Sequence, residues 1–106
     1  MISEEKNKLE RNIGICMVAG GVTVGFDMVL KDIRSRKAKF VLLAEDASQR
    51  TKKQITDKCS FYGITCFMPE LSSADISRAI GKSYSCMTAA FTGKGPWQTV
   101  FDALNN

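Results

Sequence analysis

Apolar residues recur along the chain in two spacings, and the alternation between them predicts the fold. In residues 3–19, Leu9, Ile13 and Cys16 fall at i, i+4 and i+7, one face of a helix that Gly20-Gly21 ends. Val22-Thr23-Val24 is short and fits a small edge strand. From Gly25 to Ser35, Phe26, Val29, Leu30 and Ile33 make an apolar stripe at i, i+3, i+4 and i+7, the mark of a second helix. Phe40-Val41-Leu42-Leu43-Ala44 is apolar without interruption, as in a strand covered by helices on both faces. A third helix is predicted over 48–62, capped by Ser48, stopped by Gly63, with Ile55, Cys59 and Tyr62 inward. Ile64 to Met68 reads as a strand that Pro69 stops. Residues 72–80 read as a short helix with Ile76, Ala79 and Ile80 inward, and Cys86 to Thr92 as another strand. Gly93-Lys94-Gly95 turns the chain, and Pro96 opens a last helix on which Trp97, Val100, Phe101 and Leu104 repeat at helical spacing. This order predicts an α/β fold, a three-layer α/β/α sandwich around a mixed sheet of about four strands, in a single domain over 1–106.

Composition narrows the chemistry. A chain of 106 residues buries about 65% of its unfolded surface, enough for a core without metal or disulfide staples. No apolar run approaches the roughly 20 residues that span a bilayer. The charged N-terminal segment has no hydrophobic leader, so a soluble, cytoplasmic protein without membrane association is expected. The absence of histidine excludes Ser-His-Asp and Cys-His catalysis and His-containing metal sites. Cys16, Cys59, Cys66 and Cys86 form no C-x-x-C pair and sit among apolar neighbours, so they are expected as reduced, packed thiols. No catalytic residue, metal or cofactor is assigned, and no enzyme is expected.

The remaining chemistry is acidic, glycine-rich or basic. Glu45 and Asp46 follow the central strand, where carboxylates can be catalytic. The simpler expectation is that they favour the positive start of the third helix. The glycines at 20–21 and 93–95 match no phosphate-binding fingerprint and read as turns. Lys31, Arg34, Arg36, Lys37 and Lys39 fall within nine residues, and Arg50, Lys52, Lys53 and Lys58 follow on the next helix. They suit either a solvated face or contact with phosphates, and the net charge of +4 allows an acidic partner. On the second helix Asp27, Lys31 and Arg34 share the face opposite the apolar stripe, just after Gly25. A carboxylate can accept from guanine N1–H and N2–H₂, and a Lys can donate to O6 or N7. An ordinary Asp27–Lys31 surface pair accounts for the spacing equally well.

Four segments carry a family resemblance: Gly25-Phe26-Asp27-Met28-Val29-Leu30-Lys31, Ala38-Lys39-Phe40-Val41-Leu42-Leu43-Ala44-Glu45-Asp46-Ala47-Ser48, Thr56-Asp57-Lys58-Cys59 and Arg78-Ala79-Ile80-Gly81-Lys82. In order and spacing they resemble the L-seven-Ae family of ribosomal proteins, and within it the bacterial YlxQ-type branch, over roughly residues 9–93. The resemblance implies an α/β/α sandwich that binds kink-turn RNA. In the family, the start of the second helix enters the widened groove at sheared G·A pairs with Asn-Glu and a following Lys. A loop after the fourth helix covers a flipped-out nucleotide. Those positions fall on Gly25, Asp27 (for Asn), Met28 (for Glu) and Lys31, and on the loop Lys82, Ser83, Tyr84, Ser85, Cys86 and Met87. Met28 cannot accept a hydrogen bond as Glu does, and Val18-Ala19-Gly20-Gly21 lacks the two cations that the branch tends to carry there.

Together these readings predict a non-enzymatic RNA-binding protein of the translation machinery, associated with the ribosome. The partner is a structured, kink-turn-like RNA, ribosomal RNA among the candidates, with protein partners in translation beside it. Contacts are expected at Gly25, Asp27, Met28, Lys31, Arg34, Lys39 and the 82–87 loop. The alternative is a protein-interaction module that kept the fold and lost kink-turn specificity, with Met28, Tyr84 and Met87 as its contact surface.

Overall fold

The computed structural model describes residues 2–105. Five helices and four strands alternate: α1 Ser3–Val18, β1 Val22–Val24, α2 Phe26–Arg34, β2 Phe40–Leu43, α3 Gln49–Tyr62, β3 Thr65–Phe67, α4 Ser73–Ile80, β4 Thr88–Phe91 and α5 Trp97–Asn105. The predicted three-layer α/β/α sandwich is the observed fold. The sheet runs β1-β4-β2-β3, with β2 and β3 parallel and β4 antiparallel to both neighbours. Helices α2 and α3 pack together over one face, and α1, α4 and α5 over the other. No helix is long and apolar enough to cross a membrane.

Local chemistry explains the boundaries. The Ser48 hydroxyl accepts from the Thr51 amide at the start of α3, and Gly63 ends it at φ 68°. At α4 the Ser72 hydroxyl accepts from the Asp75 amide while the Asp75 carboxylate accepts from the Ser72 amide, a reciprocal capping box. The strand expected over 86–92 is shorter in fact, because Cys86 and Met87 leave the ladder and belong to the preceding loop.

All four residues of β2 and all four of β4 are buried. Their central place between two helical layers explains why β2 shows no polar alternation. The Phe40 and Phe91 rings, paired across the ladder, stack at 4.5 Å. Phe101 of α5 meets Phe40 edge-on at 5.6 Å and Phe67 at 5.2 Å, closing the layer above them.

This topology gives the sheet two distinct ends. At one, the loop end, β1 finishes, β2 finishes and β4 starts. There the Gly25 amide donates to the Thr88 carbonyl, and the Ala44 amide to the Met87 carbonyl. At the other, β1 and β2 start, β4 finishes, and α2 and α3 finish. At about 3.3 Å per residue, four-residue strands separate the two ends by about 13 Å.

Candidate nucleic-acid interface

The start of α2 is held at the loop end by glycine geometry. Gly25 sits at φ 96° and ψ 147° as the residue before the helix, a conformation side-chain-bearing residues avoid. No side chain caps the helix, so its first-turn amide groups are available to an anion. The apolar stripe fixes the rotation of α2. Val29, Leu30 and Ile33 are buried, which turns Asp27, Met28 and Lys31 to solvent. Met28 is 50% exposed, an unusual cost for a thioether that no neighbouring layer covers.

The 82–87 loop lies beside that helix start through the Gly25–Thr88 bond. It is pinned from beneath by one hydroxyl. Ser77 of α4 is buried; its Oγ accepts from the Cys86 amide at 2.9 Å and donates to the Tyr84 carbonyl at 2.5 Å. Gly81, at φ 78°, turns the chain out of α4, and the Lys82 amide returns to the Ser77 carbonyl at 2.9 Å. With its backbone held this way, the loop projects Ser83, Tyr84, Ser85 and Met87 outward, while Lys82 is half-buried. Tyr84 is 57% and Met87 40% exposed.

Three residues expected at this surface are placed elsewhere. Cys86 is buried, its thiol directed at the Tyr84 carbonyl at 3.6 Å, so it packs the loop and does not present itself. Arg34 is exposed on the same helix face as Asp27 but lies about 10 Å further along the axis, at 1.5 Å per residue. Lys39 is at the opposite end of the sheet. Its amide donates to the Phe91 carbonyl at 2.6 Å, and its ammonium lies 5.9 Å from the Trp97 ring centre. Gly25, Asp27, Met28 and the outward part of the 82–87 loop are the residues brought to one end, and Lys31 follows in the last turn of α2, between Asp27 and Arg34 on the same exposed face.

Asp46 and Glu45 stand just before α3, as expected, and also make bonds that the sequence did not foresee. The Asp46 carboxylate does not cap α3. It accepts from the Ser73 amide at 2.7 Å and the Ser73 hydroxyl at 3.0 Å, so it anchors the start of α4. The Ser73 amide holds the Asp46 carboxyl below the usual carboxylate range, against the opposing effect of desolvation. The Glu45 backbone is tied twice: its amide donates to Leu71 at 2.9 Å and its carbonyl accepts from Lys52 Nζ at 2.7 Å. These bonds join β2, α3 and α4 behind the interface. Ser77 and Asp46 were not read as functional from sequence. The available signal for Ser77 was a small hydroxyl between Ile76 and the buried end of a short apolar helix.

Among the described residues no group of three or more His, Cys, Asp or Glu side chains could hold a metal. All four cysteines are free thiols, and Cys16, Cys59 and Cys86 are buried. Cys59 and Cys66 approach each other across α3 and β3. The hydrogen bond with Cys59, together with burial, raises the Cys66 thiol far above its ordinary range.

A small α/β/α sandwich that displays an uncapped helix start next to a pinned, apolar-tipped loop has the architecture of a ribosomal-protein-like domain. The chain belongs to the ribosomal protein L7Ae/L30e/S12e/Gadd45 family, whose model matches residues 7–100. Within it the chain falls in the YlxQ-type branch. It is 45% identical over 78 residues to the RNA-binding protein YlxQ of Enterococcus faecium, covering 73% of this chain and 74% of that one. It is 43% identical over 77 residues to the RNA-binding protein YlxQ of Bacillus subtilis, covering 73% and 76%. Among solved structures, the Giardia lamblia 15.5kD RNA binding protein shares the fold with a TM-score of 0.81 at 17% identity, over 99% of this chain and 88% of that one. A Bacillus halodurans protein of unknown function shares it with a TM-score of 0.85 at 24% identity, over 93% and 98%.

Proposed function

We propose that this protein is a non-enzymatic RNA-binding protein of the translation machinery. It acts in the cytoplasm, in association with the ribosome, as a single RNA-binding domain over 1–106. The partner is a structured RNA of kink-turn type, docked at the loop end. The observation that carries this reading is the convergence of the uncapped α2 start and the 82–87 loop on one end of the sheet, with Lys31 further along the exposed face of the same helix. The amides offer donors to a phosphate, Lys31 lies one turn on from Asp27 within reach of a purine edge, and Tyr84 and Met87 offer apolar cover to an unstacked base. The curated relatives named as RNA-binding proteins support the same partner class.

The test is a gel-shift series with kink-turn, plain duplex and single-stranded RNAs at two salt concentrations. Lys31→Ala should cost about 1–3 kcal/mol toward the kink-turn and weaken its discrimination from duplex. Met28→Glu supplies the acceptor that the family resemblance places there, and should tighten kink-turn binding while leaving duplex binding equal or weaker. Loss of affinity for both RNAs after Met28→Glu would mean that this helix start does not face guanine. A second reading, a protein-docking surface, is favoured by one observation: Met28, Tyr84 and Met87 are all exposed at the same end. Failure to bind any structured RNA at low salt would select it.

A further inference from the structure

The second end of the sheet carries chemistry that the loop end does not use. Arg34, Arg36, Lys37, Lys39, Lys58 and Lys94 all gather there, and all six are exposed. Arg34 ends α2, and Lys58 lies one turn before the end of α3. Lys39 precedes the first residue of β2, and Lys94 follows β4 by three positions. With Asp32 and Asp57 as the acids nearest in sequence, these six of fifteen cations leave nine against nine for the rest of the chain, so the net positive charge of four sits at this end. Neither of these two acids is ion-paired with any of the six. Asp32 is buried, and Asp57 pairs with Lys53 at 3.1 Å.

Aromatic rings lie among these cations. The Arg36 guanidinium lies 5.5 Å from the Tyr62 ring centre, and its Nη1 donates to the Tyr62 carbonyl at 3.2 Å. Arg36 adopts φ 60°, the left-handed conformation that a side-chain-bearing residue takes only when its surroundings hold it there. Phe61 is 80% exposed, meets Tyr62 edge-on at 5.0 Å, and stands one turn from Lys58 on the same helix face. An exposed ring wastes about as much apolar surface as a core residue buries, unless something flat covers it.

We propose that this end is a second, sequence-tolerant surface for unpaired RNA, in which the six cations track phosphates and Phe61 stacks a base. Exposed cations gathered at one end together with an outward-facing ring are what single-stranded nucleic acid requires. An acidic protein would use the cations but has no need of the ring. The surface stands apart from the loop end by the length of the sheet, so it is independent of the kink-turn reading. It would let one molecule hold a structured element and a neighbouring unpaired strand at the same time.

Fluorescence anisotropy with a fluorescein-labelled 12-nucleotide oligouridine tests it. The triple substitution Lys37→Gln, Lys58→Gln and Lys94→Gln should weaken binding at 50 mM salt by about tenfold or more and lower the salt slope by about two, at roughly 0.7 per lost single-strand contact. Phe61→Ser should weaken it about tenfold with the slope unchanged, and Phe61→Trp should restore it. Tyr84→Ser, on the 82–87 loop, should leave oligouridine binding within about twofold, and the triple variant should still discriminate kink-turn from duplex. Absence of oligouridine binding by the unsubstituted protein, or equal binding by the triple variant and Phe61→Ser, overturns the proposal. So does loss on Tyr84→Ser alone, which would place unpaired RNA at the loop end. Polyglutamate bound as tightly as oligouridine, and equally by Phe61→Ser, would overturn it in favour of an acidic protein. The variants touch exposed side chains only, and an unchanged Tm confirms that each is folded.

Discussion

The two ends of the sheet present different surfaces built on the same four strands. At the loop end, charge is mixed: Lys31 stands one turn from Asp27, and Glu45 is exposed close by. What distinguishes that end is backbone geometry, a glycine at φ 96°, an uncapped helix start and a loop fixed by Ser77. At the other end six exposed cations outnumber the two acids nearest them in sequence, and Phe61 stands in solvent. Geometry suits the reading of one shape, whereas uncompensated charge with a ring suits many sequences weakly. The contrast shows that a modest net charge of +4 can conceal a strong local field.

The largest expected effect abolishes both ends together. Phe91 is fully buried, stacked on Phe40, on the strand that connects them. Phe91→Ala should cost about 3–5 kcal/mol, read as a lower urea midpoint, and both RNA activities should fall in proportion to the unfolded fraction. If one end kept its activity in the unfolded chain, that end would need no scaffold.

A smaller change should separate them. Ser77→Ala removes the hydroxyl beneath the loop and leaves the buried Cys86 amide without a partner, at a cost of about 1–3 kcal/mol. Kink-turn affinity should drop by more than the stability loss explains, while oligouridine affinity stays level. Equal losses at both ends would show that the loop is not a separately positioned element.

The smallest effect concerns pH. The Ser72 amide foremost, then Lys6 at 2.9 Å and Arg78 at 2.8 Å, hold the Asp75 carboxyl well below its ordinary range. The folded chain therefore takes up this proton less readily than the unfolded one. The stabilisation is complete above the unfolded carboxyl value of about 3.9 and is lost as pH falls through the lower folded value. Thermal melts between pH 6 and pH 2 should show this decline, and Asp75→Asn should flatten it. A decline of equal steepness in Asp75→Asn would assign it to other carboxylates, Asp46 first.

Much of this frame was legible in the sequence because local patterns carried it. The stripe Phe26, Val29, Leu30 and Ile33 fixed which face of α2 is wet, and Ser48 with Gly63 bounded α3 to within a residue. What escaped was set by contacts distant along the chain. Asp46 reads as a helix-start acid for α3, yet it serves Ser73, twenty-seven positions on. Lys39 stands twelve residues after Asp27, but α2 runs the length of the sheet before β2 begins, so Asp27 and Lys39 lie at opposite ends. Cys86 continues an apolar run and reads as strand, whereas a hydroxyl from α4 draws its amide into the loop. Clustering in sequence predicted a single basic face, and only topology could divide it.

The position of β4 also has a consequence in time. It is the last strand in the chain and the second in the sheet, inserted between β1 and β2. Its partner Val22 lies sixty-nine residues before Phe91, so that pairing closes a long loop. The β2–α3–β3 crossover can form early from neighbouring segments, but β1 and α2 have no strand to join until β4 arrives. The Gly25–Thr88 and Ala44–Met87 bonds, which assemble the loop end, form only at that last step. On the proposed reading, a nascent or truncated chain lacking β4 would therefore be silent toward structured RNA, and competence to bind would report that synthesis had run past residue 91.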